Sequence, residues 1–166
     1  PNLGVVRKPT GDGTVFADIP GLIEGASAGV GLGHEFLRHI ERTRLLLHLV
    51  DVTSPNPIAD FEVINQELAA YGRGLSERPQ ILALNKIDAL DDEMIEEITT
   101  ELAKLSPAPC LQISAVTRRG LDDLMQLVWQ WLDEMAIAEA ETQRIMDEAA
   151  AAEALAAAQL FPSPET

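Results

Sequence analysis

Three short runs in this sequence carry residue types that could act together on a ligand. Asp18-Ile19-Pro20-Gly21 sets a carboxylate three residues before a glycine. A carboxylate at a strand end can hold a hard cation such as Mg²⁺, often through water. The glycine lets a backbone N–H approach a phosphate with no side chain in the way. Asn85-Lys86-Ile87-Asp88 sets a second carboxylate beside an amide and an ammonium. That carboxylate could accept a pair of hydrogen bonds from the N1–H and exocyclic amine of guanine. Adenine lacks this donor pair and would leave the charge unpaired, which is a source of selectivity. The Lys86 stem could lie along the flat base, and Asn85 could brace neighbouring loops. Ser114-Ala115-Val116 is a small turn whose backbone N–H groups could meet the guanine O6. Taken singly, the three also fit plain structural roles: a tight turn, a helix N-cap and a strand-to-helix turn.

Each run follows a strand-like segment. Leu3 to Arg7 and Thr14 to Asp18 are β-prone and flank a turn-rich Pro9-Thr-Gly-Asp-Gly13, which predicts an antiparallel hairpin. Leu45 to Val50, Gln80 to Leu84 and Cys110 to Ser114 are short apolar runs. They read as strands buried on both faces, as in a parallel sheet. Helices are expected over His34–Thr43, Ile58–Tyr71, Asp91–Leu105 and Gly120–Met135, where apolar residues recur at three- and four-residue spacing. The order predicts an α/β fold in three layers, a mostly parallel sheet with one antiparallel edge strand and helices on both sides. Ligands in such sheets bind beyond the carboxyl ends of the strands, where the three runs fall.

Composition narrows the remaining classes. The chain has 166 residues, 46% apolar and 23% charged, which suits one globular α/β domain. Leu45 to Val50 is the longest near-continuous apolar run, far too short to span a membrane. The single Cys110 cannot pair internally, so a reducing, cytoplasmic setting is expected. A net charge of −15 argues against a broad basic face for nucleic acid. Residues 132–166 hold eight acidic residues against Arg144 alone, so this short tail carries nearly half the imbalance. Its Ala/Glu-rich stretch 136–158 predicts a helix that continues or restarts after residue 135 and packs weakly if at all. The domain division expected is therefore 1–135 and 136–166. Residue 1 is Pro and a strand begins almost at once, which suggests a piece of a longer protein.

Together the three runs are specific. Each follows a strand, with about 66 residues between the first two and about 28 between the last two. That is the pattern of a G domain, the GTP-binding fold of the P-loop class. A closer resemblance lies in Pro1-Asn-Leu-Gly4, Asp18 to Ser27 and Gly31 to His39. These segments resemble the Obg family of GTPases, with matching stretches from residue 1 to about residue 134. A GTPase acting instead in translation or tRNA modification fits the segment 18–39 less well.

The resemblance implies hydrolysis of GTP to GDP and phosphate, with Mg²⁺ as cofactor. It implies GTP contacts from Asp18, Ile19, Pro20, Gly21, Asn85, Lys86, Ile87, Asp88, Ser114, Ala115 and Val116, with Asp18 reaching the Mg²⁺ through water. It further implies roles in assembly of the large ribosomal subunit, through that subunit or its rRNA, and in stress signalling. No Gly here is followed by Lys, so the phosphate loop G-x-x-x-x-G-K-(S/T) is not in this chain. In the family that loop lies upstream with the first strand, which would sit between the strands ending at Asp18 and Val50. A K⁺ ion assisting hydrolysis would be bound there too. Many relatives place a water-orienting Gln after Asp-x-x-Gly; here that residue is Leu22, so no catalytic base is assigned, and Glu24 is read as a solvated loop acid. The alternative is a non-catalytic interaction or regulatory segment stabilised by a partner.

Other residues invite chemistry less well. Gly29-Val-Gly-Leu-Gly33 has the wrong spacing for a dinucleotide fingerprint and reads as hinges of a switch loop. His34 and His39 have no zinc-type partners and read as surface residues. His48 and Cys110 read as core, His48 hydrogen-bonded. Arg118-Arg119 reads as exposed turn charge in preference to an rRNA contact.

Overall fold

The computed structural model describes residues 2–19 and 41–160. In chain order these hold β1 (Leu3–Arg7), β2 (Gly13–Ala17), β3 (Leu46–Asp51), α1 (Pro57–Tyr71), β4 (Gln80–Asn85), a 3-10 turn (Ile87–Ala89), α2 (Asp92–Leu105), β5 (Cys110–Gln112) and α3 (Leu121–Leu160). The chain divides into two compact units, Pro1–Leu124 and Met125–Thr166. Pro20, Gly21, Leu22, Glu24, the glycine-rich segment to Gly33, His34 and His39 lie outside the described residues, as does nearly all of the helix expected over 34–43.

The core of the first unit is a parallel sheet in the order β3-β4-β5. β3 and β4 run in register from Leu46 beside Gln80 to Asp51 beside Asn85. β5 joins β4 through Leu82 beside Cys110 to Leu84 beside Gln112. On one face Val50, Leu82 and Leu84 pack with Phe61 of α1 and Ile95 and Leu102 of α2, and all six are buried. Local chemistry starts these helices where the sequence turns. The Asn56 side chain accepts from the Ala59 N–H at 3.0 Å, and Pro57 stands at the first helical position, where its missing N–H costs nothing. Asp91 caps α2 in the same way at 2.9 Å from the Met94 N–H.

Two sheet-level expectations change. β1 and β2 form an antiparallel pair, Leu3 beside Ala17 through Arg7 beside Gly13, but among the described residues this is a separate two-stranded sheet, not an edge of the parallel one. The connection 18–45 is long, so nothing local forces β2 against β3. Pairing needs backbones about 4.8 Å apart, and no described strand fills the interval. β3 is also not buried on both faces. Leu49 is 55% exposed, whereas Ala83 beside it on the central strand is fully buried. A central strand is flanked on both sides; an outer one is not.

In the second unit the helix simply continues. No Gly or Pro interrupts residues 121–160, so α3 runs on through the acidic stretch, with every residue from 136 to 160 exposed. Arg144 pairs with Glu141 and Glu148, one turn to either side, at 2.6 Å each. Among the described residues no helix is long and apolar enough to cross a membrane.

Candidate functional site

The carboxyl ends of β3, β4 and β5 carry a hydrogen-bonded corner. β4 ends at Asn85, and Lys86 then takes a left-handed backbone conformation with φ of 68°. That reversal starts the 3-10 turn, whose Ile87 side chain is buried in the main core while Lys86 and Asp88 stay exposed. Asn85 Oδ1 accepts from the Lys86 N–H at 2.9 Å and from the Ala115 N–H at 3.1 Å. One side-chain oxygen thus ties the loop after β4 to the loop after β5.

Ser114 is fully buried and completes the tie. Its Oγ donates to Asp88 Oδ1 at 2.6 Å and accepts from the Thr117 N–H at 3.1 Å. A carboxylate offers about four acceptor positions. Ser114 therefore orients Asp88 and leaves acceptor capacity for a pair of outside donors. The Ser114 N–H bonds Arg119 O at 3.0 Å, so β5 stops at Gln112 and does not extend to Ser114. Gly120 makes this turn possible: at its φ of +74°, a Cβ would lie 2.3 Å from Gln112 O. The Ala115 N–H is engaged by Asn85, and Val116 is 86% exposed.

Asp51 belongs to the same corner and was missed by sequence reasoning. Its Oδ2 accepts from Lys86 Nζ at 2.6 Å. Its Oδ1 accepts from the Thr53 N–H at 2.9 Å and Thr53 Oγ1 at 2.6 Å. The bond from Lys86, then that from the Thr53 hydroxyl, holds the Asp51 carboxyl down at about 2. The available signal was an acid closing an apolar strand, one strand away from Asn85.

Asp18 and Ile19 are not brought to this corner. The Asp18 N–H bonds Asn2 O at 2.9 Å and its carboxylate is exposed. Ile19 packs against Leu46, Leu68 and Leu75. Leu46 opens β3 and Asp51 closes it, so the two groups lie at opposite ends of that strand, about 16 Å along it at 3.3 Å per residue. Among the described residues no group of three or more His, Cys, Asp or Glu could hold a metal ion. Two core residues complete the account. His48 stacks on Phe61 with ring centroids 5.2 Å apart, but its buried Nδ1 has no hydrogen-bond partner, contrary to expectation. Burial lowers its pKa to about 4 and raises that of the Cys110 thiol to about 11.

A mixed α/β unit with Asn-Lys-Ile-Asp and Ser-Ala loops at adjoining parallel strand ends is a P-loop-class GTPase domain. Residues 1–86, just over half the chain, match the family described as 50S ribosome-binding GTPase. The chain is 80% identical over 147 residues to the GTPase Obg of Synechocystis sp., covering 89% of this chain and 40% of that protein. It is 72% identical over 133 residues to the GTPase Obg of Rippkaea orientalis, covering 80% and 40%. It is 66% identical over 148 residues to that of Synechococcus elongatus, covering 89% and 43%. The chain therefore belongs to the 50S ribosome-binding GTPase family, and the relatives it resembles strongly here are named GTPase Obg. It spans about two fifths of the length of these curated relatives.

Proposed function

We propose that this chain supplies the guanine-reading part of a domain that binds GTP and, in the full-length protein, hydrolyses it to GDP and phosphate. The observation that carries this is the shared corner of Asn85, Lys86, Asp88, Ser114 and Ala115. Asp88 accepts the guanine N1–H and exocyclic amine, oriented by Ser114. Asn85 holds the two loops at fixed separation. The Lys86 stem covers one face of the base. Ile87 anchors the loop in the core, and Ala115 and Val116 form the rim that faces O6. Adenine would leave the Asp88 charge unsatisfied.

The phosphate side is the finer part of the proposal. Asp18, with Ile19, Pro20 and Gly21, faces the γ-phosphate when a first strand stands between β2 and β3. Supporting this are the two separate sheets and the exposure of Leu49 on the outer strand. A phosphate-binding loop and its lysine would come from the same added segment. One exposed carboxylate suits Mg²⁺, which keeps several waters and takes the rest of its shell from substrate phosphates. When bound, that ion would neutralise charge developing on the phosphates. A K⁺ ion, if used, would be held by residues of the added segment. Residues 1–135 would be part of the G domain and 136–166 a solvated helical appendage. The full-length protein would act in the cytoplasm on the large ribosomal subunit, in its assembly and in stress signalling.

Exchange of Asp88 for Asn tests the base-reading role in the full-length protein. The amide can donate to the 2-oxo group of xanthine but no longer accepts both guanine donors. GTP affinity should fall by roughly 2–4 kcal/mol and XTP should be preferred in competition binding. An unchanged preference for GTP would reject the role of Asp88.

A further inference from the structure

We propose that Asp51 is a positioning residue for Lys86, anchoring its ammonium so that the lysine stem stands as a preformed wall for the guanine base; this rests on the guanine-reading role proposed above. Asp51 and Asn85 are cross-strand partners at the ends of β3 and β4, so a long side chain on the next residue can reach back to Asp51. The left-handed backbone at Lys86 takes the chain out of the strand there, and Nζ meets Asp51 Oδ2 at 2.6 Å.

Asp51 is itself held. Both hydrogen-bonding groups of Thr53 converge on Oδ1, leaving Oδ2 for the lysine. The side chains are 52% and 40% exposed, so water and salt screen the pair and it adds little to folding. Its effect is instead to restrict a flexible four-carbon stem before the ligand arrives, which spares that ordering cost on binding. A solvent-screened ion pair whose acceptor, Asp51, is held by two further bonds from Thr53, and whose donor, Lys86, has a left-handed backbone, fits positioning better than stability.

The test is a double-mutant cycle in the full-length protein, read by titration with a fluorescent GDP analogue. Asp51→Asn should weaken binding by about tenfold, part of the cost of immobilising a lysine side chain. In a Lys86→Ala background the same change should alter affinity less than about twofold, because the group it positions is gone. Thr53→Val should weaken binding by about threefold through looser hold on Asp51, and Asp51→Glu should restore most of the loss. Melting of Asp51→Asn should stay within about 2 °C of the parent. Unchanged affinity in Asp51→Asn, or an equal loss in both backgrounds, would overturn the proposal. Should Asp51→Asn not fold, Thr53→Val decides: no loss of affinity there overturns it as well. Asp88→Asn run alongside separates the two claims. A xanthine switch with no effect at Asp51 rejects only the positioning role; no switch rejects the guanine site beneath it.

Discussion

The corner at residues 85–88 and 114–120 and the hairpin of β1 and β2 differ in what completes them. The corner closes with its own side chains: Ser114 donates to Asp88, and Asn85 accepts from the Lys86 and Ala115 N–H groups, above a core in which Ile81 to Leu84 are at most 1% exposed. Among the described residues the hairpin pairs only its inner backbone edges. Leu3, Val5 and Val15 share one face, and each is more than 60% exposed. Apolar surface of that kind is stabilising only when something covers it. One half of the proposed nucleotide site is thus built from local turns on a finished core. The other depends on structure that the described residues do not supply.

The comparison breaks most sharply at Gly120. Gly120→Ala drives a Cβ into Gln112 O and puts a side chain at positive φ. The loop after β5 must move, and stability should fall by about 3 kcal/mol in urea unfolding. A loss below about 1 kcal/mol would mean that the turn relaxes freely and does not fix Ser114.

His48 gives an effect of similar size with a pH signature. Its folded pKa of about 4 lies below the ordinary 6.5, so the unfolded chain takes up the proton first. Stability is full above about pH 6.5, falls as pH drops toward 4, and levels off below. The window is worth about 3 kcal/mol. His48→Leu should flatten that part of the pH–stability curve; an unchanged curve would assign the acid sensitivity to carboxylates instead.

A smaller effect separates the regions directly. Val15→Thr should change the stability of the 166-residue chain by less than about 0.5 kcal/mol, because the side chain is 64% exposed. In the full-length protein, with that face covered, the same change should cost about 1–2 kcal/mol. Equal costs in both would mean the hairpin gains no cover. The smallest effect is kinetic: the Cys110 thiol, raised to about 11, should react with alkylating agents far more slowly at pH 7 than an exposed cysteine.

These differences also explain what was legible in the sequence. The three parallel strands and the loops after them were, because apolar runs end abruptly at Asn85 and near Ser114, and turns are local. The brace from Asn85 followed from residue type and place. Asp51 was hidden, since its partner lies on the next strand and depends on register and on the backbone reversal at Lys86. The separation of the hairpin was hidden for a related reason: strand neighbours are set by packing across long connections, not by the strands' own residues. Helix α3 could be read as helix throughout from its Ala- and Glu-rich composition, but only the uninterrupted backbone distinguishes continuing from restarting.

The central claim is that this chain reads the base and that the phosphates are held by structure outside it. Titration of a fluorescent GTP analogue into the 166-residue chain, and into a protein extended to the full length of its relatives, tests it most directly. The account predicts tight binding with turnover by the extended protein. The 166-residue chain should bind many orders of magnitude more weakly and show no measurable hydrolysis, since several charge-assisted bonds of about 1.5–3 kcal/mol each are absent. Micromolar binding with GTP turnover by the 166-residue chain would contradict it.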